Sequence, residues 1–171
     1  MELYLFRLSD KDDIDPKLLP SGVAEHCKKR ESRICASVLL EKGIENLHYE
    51  VSGKPVADNC FISISHSDDM AAVCKSEIPV GVDIEKIDAE RDLRKIAARF
   101  YCGKELEYFS EKPTAERFYE IWTKKEAYSK IDGGGVSEIF RGFDVLSLNG
   151  YRFTTEIADG YATSVCEKDK N

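Results

Sequence analysis

An α+β fold of two related halves is predicted by three features of the sequence. The first is apolar/polar alternation through 61–66, 70–75 and 79–85. The second is a run of helical patterns from Leu93 to Ile131 that gives way to strands again towards the C-terminal end. The third is an echo between two hairpins. Met70-Ala71-Ala72-Val73-Cys74-Lys75 follows an Asp-Asp turn, and Tyr161-Ala162-Thr163-Ser164-Val165-Cys166 follows an Asp-Gly turn. Each closes a half of the chain that also holds a helix.

The elements follow in order. Leu3 to Leu8 reads as a buried strand. Val23 to Leu40 reads as one helix, with Val23, Cys27, Ile34, Cys35 and Val38 near one stripe and Gly43 ending it. Leu47 to Val51 reads as a strand and Ser52-Gly53-Lys54-Pro55 as a turn. In the next strand Ile62, Ile64 and His66 share one parity and Ser63 and Ser65 the other. Asp68-Asp69 turns the chain back into Met70 to Lys75. From Pro79 to Glu85, Val80, Val82 and Ile84 face one way; Gly81, Asp83 and Glu85 face the other. Asp88 is placed to cap a helix over Leu93 to Arg99, and a shorter helix covers Lys104 to Phe109. Thr114 caps a longer one to about Ile131, with Glu116 favourably in its first turn. Asp132-Gly133-Gly134-Gly135 stops it. Phe143 to Leu148, Tyr151 to Ile157 and Tyr161 to Cys166 read as strands, with turns at Asn149-Gly150 and Asp159-Gly160.

The chain has 171 residues, 25 Lys+Arg against 32 Asp+Glu, and a formal net charge of −7. At this size folding buries roughly 70% of the extended surface, so a core needs neither disulfide nor structural metal. No apolar run approaches the roughly 20 residues that span a bilayer. The opening Met1-Glu2-Leu3-Tyr4-Leu5 puts an acid where a secretory signal carries basic residues. The acidic balance is a poor match to general nucleic-acid binding, although Lys28-Lys29-Arg30 with Arg33 suits one small polyanion. Cys27, Cys35, Cys60, Cys74, Cys102 and Cys166 form no C-x-x-C pair and sit mostly in apolar stretches. They read as reduced core thiols of a cytoplasmic protein.

Three constellations can carry chemistry. Gly81-Val82-Asp83-Ile84-Glu85 puts two carboxylates on one side of a strand. Two such groups about 4 Å apart repel by about 4 kcal/mol at an effective dielectric of about 20, and a hard divalent cation reverses that sign. A solvated strand face explains the same motif. In Trp122-Thr123-Lys124-Lys125-Glu126-Ala127-Tyr128-Ser129-Lys130, Glu126 and Lys130 lie one helical turn apart. Lys125 falls within the apolar stripe of Phe118, Ile121, Trp122 and Tyr128, where a charge is unexpected. These residues read either as a surface ion pair with a snorkelling lysine, or as a third carboxylate flanked by two cations for phosphate oxygens. His66, in Ser63-Ile64-Ser65-His66-Ser67, is either a satisfied core histidine or a phosphate or ribose contact at a strand end.

Taken together, D-I-E at 83–85, W-T-K-K-E-A-Y-S-K at 122–130, S-H-S at 65–67 and G-K-P at 53–55 resemble the 4′-phosphopantetheinyl transferase superfamily. The likeness is greatest to its monomeric, surfactin-synthetase-activating type. Arg99 to Glu105 adds to the match, which runs clearly from Arg33 to Val136. The resemblance implies two similar α/β halves related by a pseudo-twofold, 1–87 and 88–171, with the active site between them. It implies Mg²⁺-dependent transfer of the phosphopantetheine arm of coenzyme A to a serine of an apo acyl or peptidyl carrier protein, releasing adenosine 3′,5′-bisphosphate. Asp83, Glu85 and Glu126 would hold Mg²⁺, or Mn²⁺, against the pyrophosphate. Glu105 matches the carboxylate proposed as general base. Lys125 and Lys130 match lysines on the phosphates, and Lys130 also serves the leaving group. His66, Lys54 and Arg33 match residues around the 3′-phosphate, with Lys29 or Arg30 as additions.

A monomer is expected, since one chain carries both halves of the site. Arg94, Lys95 and Arg99, beside Leu93 and Ile96, are candidates to dock the carrier. A Mg²⁺-dependent phosphodiesterase and a binding module without turnover stay open as other readings.

Overall fold

The computed structural model describes residues 1–132 and 143–169. β1 (Glu2–Arg7) leads to α1 (Ser21–His26) and α2 (Arg30–Glu41), which replace the single helix expected over Val23 to Leu40. The backbone leaves the helix at Cys27, where ψ opens to 65°. Contacts from outside the helix hold the break. Arg30 donates to Leu8 O and Lys11 O, and Arg33 to Lys28 O. An apolar stripe carries no sign of such anchors. Gly43, at φ +78°, ends α2 as expected. The Ile44 N–H reaches Leu39 O and the Gly43 N–H reaches Leu40 O, which satisfies two terminal carbonyls.

The expected strand at Leu47 to Val51 shortens to β2 (His48–Tyr49), which pairs with β3 (Pro55–Val56). β4 (Phe61–Ser67), β5 (Met70–Ser76) and β6 (Val80–Lys86) lie where the sequence pattern puts strands, although β5 from Ala71 to Cys74 and β6 from Val80 to Ile84 are buried on both faces. Three helices come next: α3 (Leu93–Phe100), α4 (Gly103–Glu111) and α5 (Ala115–Asp132). Asp92, not Asp88, caps α3 by accepting from the Lys95 N–H; Asp88 takes the Glu90 N–H in a local turn. Thr114 caps α5 through the Arg117 N–H. The glycines at 133–135, read as the stop signal, lie outside the described residues. The segment expected as a strand from Phe143 to Leu148 is instead a short 3₁₀ turn at Val145–Ser147. Asp144 forces it by accepting from the Leu146 and Lys104 N–H groups, while the Val145 N–H is taken by Glu105. The chain closes with the hairpin of β7 (Tyr151–Ala158) and β8 (Tyr161–Lys168).

Beside the small β2-β3 pair, two three-stranded antiparallel sheets form among the described residues, in the orders β1-β5-β4 and β6-β8-β7. Their topology is the same. In each, the first strand pairs with the last strand of the closing hairpin, which lies in the middle. The echoing hairpins are β4–β5 and β7–β8, and both turn through an aspartate at φ 52°, Asp68 and Asp159. A division near Ile87 puts β6 with the first half, yet β6 ladders with β8 throughout its length. Sheet pairing therefore divides the chain between Ser76 and Val80. A strand's alternation says which residues share a face; it does not say which strand it joins.

β6 sits at the centre. Val80, Val82 and Ile84 pack into a core between the sheets with Ala72, Cys74, Tyr161 and Val165. The opposite face lies on α5. There the position a Gly81 Cβ would take is 1.9 Å from Ala127 O, so only glycine allows this approach. Tyr101, Phe109, Phe118 and Tyr119 build a separate aromatic core under α3, α4 and α5. None of the six cysteines is in a disulfide; Cys27, Cys35, Cys74 and Cys166 are buried, whereas Cys60 is half-buried and Cys102 is exposed at the start of α4. Burial pushes the Cys35 and Cys74 thiols up to about 12, which keeps them protonated. No described helix is long and apolar enough to cross a membrane.

Candidate active site

Gly81 lets β6 lie against α5, and this contact brings Asp83 to Lys130. Lys130 Nζ stands 2.8 Å from Asp83 Oδ1 and 3.0 Å from Val82 O. Lys130 thus turns to the strand instead of pairing along its own helix with Glu126. Ser65 Oγ donates to the same Oδ1 at 2.8 Å. Asp83 is only 4% exposed, and its Oδ2 is buried without a hydrogen-bond partner. Leaving a carboxylate oxygen buried and unpaired is costly, so the arrangement points to a missing positive partner.

The neighbouring acids carry the same signature. Burial, followed by the Asp83 charge, raises the Glu85 acid above its ordinary value. Burial, then Asp83, pushes Glu126 up to about 7; Lys130 opposes the shift and Glu85 adds to it. The three carboxylates share one field with Lys130, and Arg91 also acts on Glu85. Among the described residues no three acidic, histidine or cysteine side chains form a ready-made metal cage. The donor set nevertheless fits a hard divalent cation, which prefers carboxylate oxygens and relieves this repulsion.

A cleft of about 330 Å³ opens beside these acids; its lining includes Ser32, Tyr49, Gly53, Ser65, His66 and Lys130. Lys130 therefore belongs to both the acidic cluster and the cleft. Burial lowers the His66 pKa; Lys130 and Lys29 lower it further, and Glu31 opposes them. His66 and Lys130 share the lining of the cleft, where an anion could meet both.

The other expected residues lie elsewhere. Arg33 is held by Asp13 through Nη2–Oδ2 at 2.6 Å and Nε–Oδ1 at 3.0 Å, a two-point pairing that occupies its fork. Lys54 gives its ammonium to Ile131 O at the end of α5 and lines an adjoining cavity of about 450 Å³. Arg30 is committed to backbone carbonyls, so of the basic run it is Lys29 that acts on His66. The largest difference concerns Glu105 and Lys125. Both side chains are wholly buried, and Lys125 Nζ reaches the two Glu105 oxygens at 2.7 and 2.8 Å. The N–H groups of Cys102 and Val145 also donate to Glu105, and Lys125 further donates to Phe143 O. Neither residue lines the cleft; in this structure they are an internal clamp between α4, α5 and the segment at 143–145. The apolar position of Lys125 announced its burial. Its partner, on another helix, had no signal. Ser65 and Ser67 were missed as partners of the acids, although their shared parity with Ser63 marks the face turned to β6.

Comparison with known proteins gives the family of the chain. The family model described as the 4′-phosphopantetheinyl transferase superfamily matches residues 79–169, which begin just before β6 and end after β8. The chain is 31% identical over 150 residues to the 4′-phosphopantetheinyl transferase AcpT of Escherichia coli (strain K12), covering 80% of this chain and 77% of that protein. It is 40% identical over 88 residues to the 4′-phosphopantetheinyl transferase gsp of Aneurinibacillus migulanus, covering 49% and 36%. It is 30% identical over 110 residues to the 4′-phosphopantetheinyl transferase HetI of Nostoc sp. (strain PCC 7120), covering 58% and 46%. The match thus spans half or less of the latter two proteins. With more than half of the chain inside the family match and most of one relative's length aligned, this chain belongs to the 4′-phosphopantetheinyl transferase superfamily.

Proposed function

We propose that this protein transfers the 4′-phosphopantetheine arm of coenzyme A to a serine of an apo acyl or peptidyl carrier protein, leaving adenosine 3′,5′-bisphosphate. The observation that carries this reading is the buried, unpartnered Oδ2 of Asp83, beside a cleft that Lys130 shares. Asp83, Glu85 and Glu126 would hold Mg²⁺ or Mn²⁺, which supplies charge neutralisation for the pyrophosphate. His66, with Lys29 in range, takes the 3′-phosphate in the cleft. Lys130 bears on the leaving phosphate from the junction of cleft and acids. The carrier serine oxygen bonds to the pantetheine-linked phosphorus as the bond from that phosphorus to the bridging oxygen breaks; the hydroxyl proton passes to water, and the bridging oxygen leaves as part of the 5′-phosphate of adenosine 3′,5′-bisphosphate. This is one in-line displacement with no protein nucleophile, so catalysis rests on positioning and charge.

Glu105 serves as general base only if it leaves Lys125, so we assign it and Lys125 to the clamp. One chain carries cleft and acids together, so a monomer suffices. We place the reaction in the cytoplasm, where thiols outside disulfides stay reduced.

The test is intact-mass spectrometry of apo carrier proteins from fatty-acid, polyketide and nonribosomal-peptide systems, incubated with the protein, coenzyme A and Mg²⁺. One added phosphopantetheine arm, absent with Glu126→Ala, is the expected result. Coenzyme A cleaved with no carrier modified would instead identify a phosphodiesterase. Coenzyme A bound without turnover would identify a binding module.

A further inference from the structure

β4 and β6 lie side by side yet belong to different sheets. Serine hydroxyls on one parity of β4 make their junction. Ser63 Oγ accepts from the Val82 N–H at 3.0 Å, and Ser67 Oγ accepts from the Lys86 N–H at 3.1 Å. Two of these serines also reach the acids. Ser65 Oγ donates to Asp83 Oδ1 at 2.8 Å, and Ser67 Oγ donates to Glu85 Oε2 at 2.9 Å. A hydroxyl has one proton to give. Ser67 receives the backbone N–H, so its own proton is directed to Glu85. Asp83 Oδ1 takes both Ser65 and Lys130, which leaves Oδ2 as the oxygen without a partner.

We propose that Ser65 and Ser67 are positioning residues for the two carboxylates. By occupying one oxygen of each, they decide which oxygens remain for a divalent cation, and so set the protein's affinity for it. This rests on the carboxylate-site reading above. Hydrogen bonds from outside commonly fix metal-binding groups in this way, and their loss weakens metal binding by about tenfold or more. Ser63 is an internal control. It lies on the same face at 4% exposure and holds only the backbone N–H of Val82. If the serines merely join the sheets, all three are equivalent. If they orient acids, Ser63 differs.

The experiment is calorimetric titration of Mn²⁺ alone into the full chain, without coenzyme A, with melting temperatures taken in chelator. Ser65→Ala and Ser67→Ala are expected to weaken Mn²⁺ binding by about tenfold, and Ser67→Thr, which keeps the hydroxyl, to restore it. Ser63→Ala is expected to lower the melting temperature and leave Mn²⁺ affinity unchanged. Equal weakening by all three alanines, or weakening by none, overturns the proposal while the carboxylate site stands. No Mn²⁺ binding by the unaltered protein overturns both together. Should Ser67→Ala not fold, Ser65→Ala against Ser63→Ala makes the same decision.

Discussion

Lys125 and Glu105 form an ion pair in which neither side chain has any accessible surface. Each Glu105 oxygen accepts from Lys125 and also from one backbone N–H, those of Val145 and Cys102. A pair this deep adds little to stability against an apolar alternative, but breaking it leaves an isolated charge. Glu105→Gln and Lys125→Met should therefore each destabilise by about 3–5 kcal/mol. The double variant should recover part of that loss, since no charge is then stranded. Urea unfolding measures all three. Single variants within error of the unaltered protein would show that the pair opens in solution, where Glu105 could then reach substrate.

Gly81 is the contact through which β6 meets α5. Gly81→Ala puts a methyl carbon 1.9 Å from Ala127 O, a backbone atom with no soft rotation to escape. Overpacking at such a point should destabilise by about 3 kcal/mol or more. It should also draw Asp83 away from Lys130 and depress transfer in whatever fraction stays folded. Thermal melting decides the first point, and an unchanged midpoint would contradict the close packing.

The charge of Glu126 should make the metal-free protein less stable as pH rises. Its folded pKa of about 7 lies above its ordinary value of 4.5, so between those values the folded state binds more protons than the unfolded. Stability then falls across that window, and the penalty is fully present above about pH 7. Mg²⁺ or Mn²⁺ should raise the melting temperature more at pH 8 than at pH 5.5. Glu126→Gln should raise the metal-free melting temperature at pH 8 while abolishing transfer. A cation effect independent of pH would remove the acid cluster as its origin.

α3 presents Arg94 and Lys95 to solvent, while Leu93 and Ile96 pack partly on the aromatic core. The double charge reversal Arg94→Glu/Lys95→Glu should weaken binding of an acidic carrier by roughly tenfold at low salt, with the difference shrinking as salt rises. Coenzyme A affinity should not change, because neither residue lines the cleft. Unaltered carrier affinity would exclude this helix as the docking face.

The sequence by itself determined the local features of this protein. Alternation put Gly81, Asp83 and Glu85 on one face of a strand, and turn residues set the two hairpins at Asp68 and Asp159. Helical spacing placed Lys125 in an apolar stripe and Lys130 one turn beyond Glu126. These are matters of period and turn chemistry, which neighbouring residues encode. The tertiary structure alone decided the partners. β6 joins β8, Lys125 is buried against Glu105, Arg33 closes on Asp13, Lys54 ends on Ile131, and Lys130 turns to Asp83. Each partner lies on a different element, and which charges meet depends on how those elements pack. A repeat of two or 3.6 residues orients a side chain; only the packed fold determines what it faces.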